Sequence, residues 1–191
     1  GYVTVEEKVI RLTAIGSEAQ THAVRLHGEI GTRWDTRAGT RLGAALAMTG
    51  EEGRALEAKL RATIRAAGAR MVGPNCMGVI NTDAAVSLNA TFSPTPAVAG
   101  SVGFVSQSGA LGVAILNVAA QLGIGLTQFV SMGNKADVSS NDLLEYWQDD
   151  PATRLVLLYV ESFGNPRKFA RLARRIARTK PILVLKSGTS K

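Results

Sequence analysis

The sequence predicts an α/β fold built as a doubly wound parallel sheet, and three observations predict it. Beyond Ser93-Pro94-Thr95-Pro96, short β-rich runs alternate with helical patterns, which is how a parallel sheet covered by helices reads in sequence. Each of those helical patterns carries its own start and stop residues. Apolar residues make up 46% of the 191, enough to bury a core.

The first 48 residues give no helical or alternating period, because Thr, Arg and Gly interrupt every apolar run, and 1–48 is left unassigned. Order begins at Thr49-Gly50-Glu51-Glu52, which reads as a capping box; Leu56, Leu60 and Ile64 then recur along one helical face, and Gly68 closes the helix. A short strand is expected over Ala69–Val72, followed by the loop Gly73-Pro74-Asn75-Cys76 and an extended stretch from Met77 to Ile80. The two prolines at 94 and 96 remove backbone donors and mark a linker, so a domain boundary is placed there, with 49–96 before it and 97–191 after it.

Four strands follow: Val102–Ser106, Leu126–Ser131, Arg154–Glu161 and Pro181–Lys186. Ser108 caps the first intervening helix, whose core face is expected to be Leu111, Ile115, Val118 and Leu122, with Gly123 to end it. A second helix starts near Ser140, runs through Leu143, Leu144 and Trp147, and stops before Pro151. The third has Asn165 as cap, Pro166 in the first turn, and Phe169, Leu172, Ala173 and Ile176 on one face. This pattern has flavodoxin-like character.

The charge is +7, and its placement says more than its size: Pro151–Lys191 holds ten Lys/Arg and one acid, Glu161. Most of these cations coat the third helix. No aromatics interleave them, so the helix reads as a solvated or partner-facing surface and not as a nucleic-acid reader. No apolar run is long enough for a membrane span. One cysteine, Cys76, excludes an internal disulfide framework and fits a reducing compartment, so a cytoplasmic protein is expected. His22 and His27, five apart and away from any acid motif, make no metal pair.

Ligands of open parallel sheets collect where strands run into loops and helix N-termini. The loop Ser106-Gln107-Ser108-Gly109-Ala110 therefore reads as a phosphate cradle, with hydroxyl donors, a glycine for close approach and a helix dipole behind it; as an alternative, Ser108 only caps the helix. The loop around Asn134 and Lys135 is either a contact to ligand or neighbouring loop, or an ordinary solvated connection. Glu161 closes the most apolar strand, where partial burial would raise its pKa, or else it caps a neighbouring loop. Asn75 can hydrogen-bond a ligand amide or carbonyl. Cys76 has no base nearby in sequence and reads as a small filler, not a nucleophile.

Four stretches in this order, Gly73-Pro74-Asn75-Cys76-Met77-Gly78-Val79-Ile80-Asn81, Gly103-Phe104-Val105-Ser106-Gln107-Ser108-Gly109-Ala110-Leu111, Gly133-Asn134-Lys135-Ala136-Asp137 and Glu161-Ser162-Phe163-Gly164, resemble the NDP-forming acyl-CoA synthetases, with the acetate–CoA ligase branch nearest. The resemblance covers about Thr49 to Gly188. It implies a succinyl-CoA ligase-like flavodoxin domain preceded by the remnant of a Rossmann-like CoA-binding domain. It also implies a reaction in which a carboxylic acid, CoA and ATP give acyl-CoA, ADP and phosphate through an acyl phosphate and a phosphohistidine.

Carried across by motif, Ser106, Gln107, Ser108, Gly109 and Ala110 would hold the phosphohistidine, Glu161 would be the catalytic carboxylate that contacts it, and Asn75 and Cys76 would lie near the CoA thiol. CoA, ATP/ADP and Mg2+ are implied for the complete enzyme, as are an ATP-grasp domain or subunit, a possible fused acetyltransferase domain and oligomeric assembly. Two departures accompany the resemblance. The glycine-rich start of the CoA-binding domain is not readable before Thr49, and the family's phosphorylated histidine falls past a segment like Lys186-Ser187-Gly188, beyond Lys191. The chain is therefore expected to act as part of a larger synthetase; the alternative is a regulatory module of an acyltransferase fusion that has lost catalysis.

Overall fold

The computed structural model describes residues 50–91 and 93–188. The expectations for 1–48, for Thr49 as a helix cap and for both histidines lie outside them. Helix α1 (Glu51–Ala66) has Gly50 at its N-cap position, and the chain leaves it through Gly68 at φ +70°.

The run Ala69–Val72 is not the expected strand. Met71 is tied to the loop at 133–138: Val138 N–H donates to Met71 O at 3.0 Å, and Met71 N–H donates to Asp137 Oδ2 at 3.0 Å. Ala69 N–H donates back to Ile64 O at 3.1 Å and Val72 O accepts from the Cys76 thiol, so the bonds of this stretch go to a loop, a helix end and a side chain and not to a ladder.

Strands β1 (Gly78–Asn81) and β2 (Leu88–Thr91) form an antiparallel hairpin, and β1 also pairs antiparallel with β4 (Leu126–Ser131). Before β4 come β3 (Ala99–Ser106) and α2 (Gly109–Gln121); after it come α3 (Ser140–Asp149), β5 (Leu155–Val160), α4 (Pro166–Ile176) and β6 (Ile182–Lys186). Among the described residues the sheet has six strands in the order β2-β1-β4-β3-β5-β6. The four strands expected to form a parallel sheet do so, and the β1–β2 hairpin adds an antiparallel edge. The parallel part, β4-β3-β5-β6, follows the first four places of the flavodoxin order. The hairpin lies in sequence before the expected boundary at 96, yet it extends the same sheet.

Side chains alternate across the sheet and fill two cores. On one face Val105, Val130, Val156, Leu158 and Val160 pack against Leu144 and Trp147 of α3 and Leu172 and Ile176 of α4. On the other, Phe104, Leu126 and Phe129 pack with Leu116 of α2, Met77 and Ile80. The cap expected at Asn165 is observed, its Oδ1 accepting from Lys168 N–H at 3.0 Å, and α3 has in addition a capping box of Ser139 and Asp142 that the sequence reading did not name.

The face of α2 is a correction. Its buried residues are Gly112, Leu116 and Ala119, whereas Val118 and Leu122 of the expected core face are 51% and 68% exposed. The helix is apolar nearly all round, so periodicity could not choose a face. Gly112 does: a Cβ there would lie 2.9 Å from the Phe129 ring, so this turn packs closer to the sheet than a side chain would allow.

Candidate active site

The carboxyl ends of β3 and β5, the N-terminus of α2 and the loops at 73–77 and 131–139 meet at a groove of about 550 Å3. Gln107, Ser108, Gly109, Ala110 and Val113 form one wall; Asn75, Cys76 and Met77 form another; Gly133, Asn134 and Glu161 complete the rim. Nine of the ten residues singled out from sequence are thus on the groove or, for Lys135, bonded to its wall. Ser106 is the exception and a correction. It is completely buried, and its hydroxyl donates to Ser108 O at 2.5 Å, so it shapes the turn and does not face the groove.

Ser108 is extended (φ −102°, ψ 125°) and caps α2, with its Oγ accepting from Leu111 N–H at 3.4 Å. Ser108 O takes the Gly112 N–H at 3.0 Å. The N–H groups of Gly109 and Ala110 keep no acceptor among the described residues, and both residues line the groove. Two free donors at the positive end of a 13-residue helix make a place for an anion.

Gln107 organises the opposite side. Its N–H donates to Tyr159 O at 2.9 Å, while its Oε1 accepts from Glu161 N–H at 2.9 Å and Ser162 N–H at 3.2 Å. The exit of β5 is thereby fastened to the exit of β3. Glu161 stands exposed at the rim, which corrects the expectation of a half-buried carboxyl.

Asn75, at φ +55°, reaches Asn134 Oδ1 at 3.5 Å, and Met77 N–H donates to the buried Ser131 Oγ at 2.9 Å. Burial pushes the Cys76 thiol up, only partly opposed by backbone hydrogen bonds at Gly78 and Cys76. It stays a thiol at neutral pH, in keeping with a filler role.

The wall at 73–77 is held by the loop around Asn134, one of whose two readings from sequence was contact with a neighbouring loop; the residue in it that sequence reasoning missed is Asp137. Asn134 N–H donates to Pro74 O and Ala136 N–H to Gly73 O, each at 2.9 Å. Gly133, at φ +50°, lies so near this wall that a Cβ would sit 2.2 Å from both Pro74 O and Asn75 O. Asp137, with its side chain fully shielded, accepts from Arg65 Nη2 at 2.5 Å, Arg70 Nε at 2.7 Å and Met71 N–H. Burial alone would raise its carboxyl; the bonds from Arg70, Met71 and Arg65 outweigh burial and hold it at about 2. No local pattern could reveal this, because the partners lie 66 to 72 residues away.

A second concavity of similar volume runs between the side chains of Arg167, Arg171, Arg174, Arg175 and Arg178. All of its walls belong to α4 and the turn that follows it, so it is the space between neighbouring arginines and brings no separate chemistry together.

Residues 99–191 match the family described as the succinyl-CoA ligase like flavodoxin domain. Residues 99–191 belong to that family. The flavodoxin domain so defined begins at β3 and contains the cradle, Glu161 and both helical layers. Over 74% of its length the chain is 45% identical to the alpha subunit of acetate–CoA ligase (ADP-forming) I from Pyrococcus furiosus, of which it covers 30%. It is 40% identical to acetate–CoA ligase (ADP-forming) I from Archaeoglobus fulgidus over 83% of this chain and 23% of that protein. Among solved structures, the apo form of a dinucleotide-forming acetyl-coenzyme A synthetase from Candidatus Korarchaeum cryptofilum superposes with a TM-score of 0.67 at 38% identity, covering 74% of this chain and 31% of that one. The same enzyme has been solved with phosphate and ADP; that structure is 34% identical, covers 87% of this chain and 36% of the other, and gives a TM-score of 0.67. The chain thus spans about a third or less of the relatives it matches.

Proposed function

We propose that this chain is part of an NDP-forming acyl-CoA synthetase, in which its flavodoxin domain receives the phosphoryl group carried on a histidine while acid, CoA and ATP become acyl-CoA, ADP and phosphate. The observation that carries the reading is the α2 N-terminus: two unpartnered N–H groups on a groove, in a domain whose relatives are ADP-forming acetate–CoA ligases. Preorganised donors of this kind stabilise charge developing on a transferring phosphoryl group.

In this reading Gly109 and Ala110 N–H groups and the Ser108 hydroxyl bind the phosphoryl oxygens. Gln107 fixes the turn, and Glu161, at the rim opposite, is the carboxylate that meets the phosphohistidine. Asn75 and Cys76 stand across the groove, where the CoA thiol would approach; the wall is polar and open enough to accept it. Among the described residues no three His, Cys, Asp or Glu side chains cluster closely enough to hold a metal ion. In this proposal Mg2+ and ATP belong with an ATP-grasp partner domain or subunit, and the small carboxylic acid, of which acetate is one case, arrives with them. No helix among the described residues is long and apolar enough to cross a membrane, which is compatible with a cytoplasmic enzyme.

Gly109→Pro tests the cradle with little structural cost. Proline is suited to the first helical position, and Ser108 already has the extended backbone that must precede a proline. Inorganic phosphate titrated into the chain is expected to shift the amide resonances of Gln107 to Leu111. The proline variant should keep a dispersed spectrum and lose most of that response. A wild-type chain whose amides ignore phosphate would overturn the cradle.

A further inference from the structure

The residues lining the groove carry one formal charge, and it has the wrong sign for the proposed ligand: Glu161 is the only ionised side chain among them. A phosphoryl group arriving there brings up to two more negative charges. Helix dipole and neutral donors offset part of this, but a charge-balanced site needs a cation within a few ångström.

Lys135 is the cation bonded to the groove wall, through Gln107. Its neighbours on both sides, Asn134 and Ala136, are tied through their N–H groups to Pro74 O and Gly73 O, and Lys135 itself sits in the left-handed region at φ +47°. Its side chain runs the other way, toward the cradle. Nζ donates to Ser162 O and Ser162 Oγ, each at 2.5 Å, and reaches Gln107 Oε1 at 3.5 Å. Gln107 Oε1 is the same atom that accepts from the Glu161 and Ser162 N–H groups.

Among the described residues no carboxylate lies within ion-pair distance of this ammonium; all its acceptors are neutral. Burial disfavours the charged form, and the nearby Glu161 favours it. A half-buried ammonium bound only by neutral oxygens keeps its charge free to act on an anion beside it.

We propose that Lys135 is a positioning residue of the anion site, which clamps Gln107 and Ser162 and supplies the positive charge that the groove lining lacks. The inference deepens the phosphoryl-cradle reading and rests on it. It also gives the loop at 133–138 two jobs: its backbone holds the wall at 73–77, and the one side chain it sends the opposite way holds the phosphoryl wall.

The test is phosphate titration of the chain, read on the amides of Gln107 to Leu111, for the wild type and for Lys135→Arg, Lys135→Gln and Lys135→Met. Arginine keeps the charge, glutamine keeps a donor for Ser162 without charge, and methionine keeps neither. Wild type and Lys135→Arg are expected to agree within about twofold, while both neutral variants lose affinity by about fivefold, the factor for one ion contact in water-like surroundings. Lys135→Gln binding phosphate as tightly as the wild type would overturn the proposal, since a clamp without charge would then suffice. Should Lys135→Met fail to fold, the Arg and Gln variants still decide. Wild-type amides that do not respond to phosphate would instead defeat the cradle itself, and wild-type response with unchanged neutral variants would defeat only the role of Lys135.

Discussion

Asp137 illustrates how much one side chain can organise. Two guanidinium groups and a backbone N–H converge on a carboxylate shielded from solvent, and the three donors come from α1 and the segment behind it. Its folded pKa, about 2, lies below the unfolded value near 4, so its contribution is fully present above pH 4 and is lost as pH falls toward 2. The shift corresponds to about 2 kcal/mol, an upper figure because both arginines face solvent. Asp137→Asn should therefore be less stable than wild type in urea melts at pH 7, with the gap closing between pH 4 and 2. A gap that persists at pH 2 would assign the loss to packing instead of charge. The sequence showed an aspartate in a polar loop and gave no means of pairing it with Arg65 or Arg70. By contrast Gln107, Ser108, Gly109 and Glu161 were legible, because a strand end running into a helix start identifies such positions locally.

At the scale of elements, legibility followed amphipathicity. Helix α4 separates arginines from Leu172 and Ile176 so cleanly that its buried face could be read in advance, and it is the face observed. Helix α2, apolar on nearly every side, could be recognised as a helix but not oriented. Strand β2 escaped notice because Leu88-Asn89-Ala90-Thr91 is short, half-buried throughout and without an apolar run. The orientation of α2 has a measurable consequence. Leu116→Ala removes a side chain 2% exposed beneath Phe104 and Phe129 and should cost about 2–5 kcal/mol. Leu122→Ala, at 68% exposure, should stay within about 0.5 kcal/mol of wild type. A larger loss at Leu122 than at Leu116 would return the helix to the expected face of Leu111, Ile115, Val118 and Leu122.

Across the whole molecule, the groove depends on two parts of the chain being held together, by the β1–β4 ladder and by contacts between loops. The cradle belongs to the flavodoxin domain, whereas Asn75 and Cys76 belong to the segment between α1 and β1, whose far end is anchored where Val79 pairs with Val130 and Met77 N–H donates to Ser131 Oγ. The rest of that segment is held by the stretch 133–138, through carbonyls at 71, 73 and 74, the carboxylate of Asp137 and the absence of a side chain at Gly133. Loop contacts of this kind open more readily than a sheet core. A methyl group at position 133 would meet Pro74 O and Asn75 O at 2.2 Å, on a backbone with φ +50° that alanine tolerates poorly. Gly133→Ala should thus release the 71–77 wall while β3, β4, β5 and β6 keep their ladders. Hydrogen exchange distinguishes this from general destabilisation: protection at Met71 should fall by at least about tenfold, with amides such as Val105 and Leu158 little changed. Uniform loss of protection would mean that the wall and the sheet open as one unit, and that the groove is part of the global fold and not a junction between two separately stable parts.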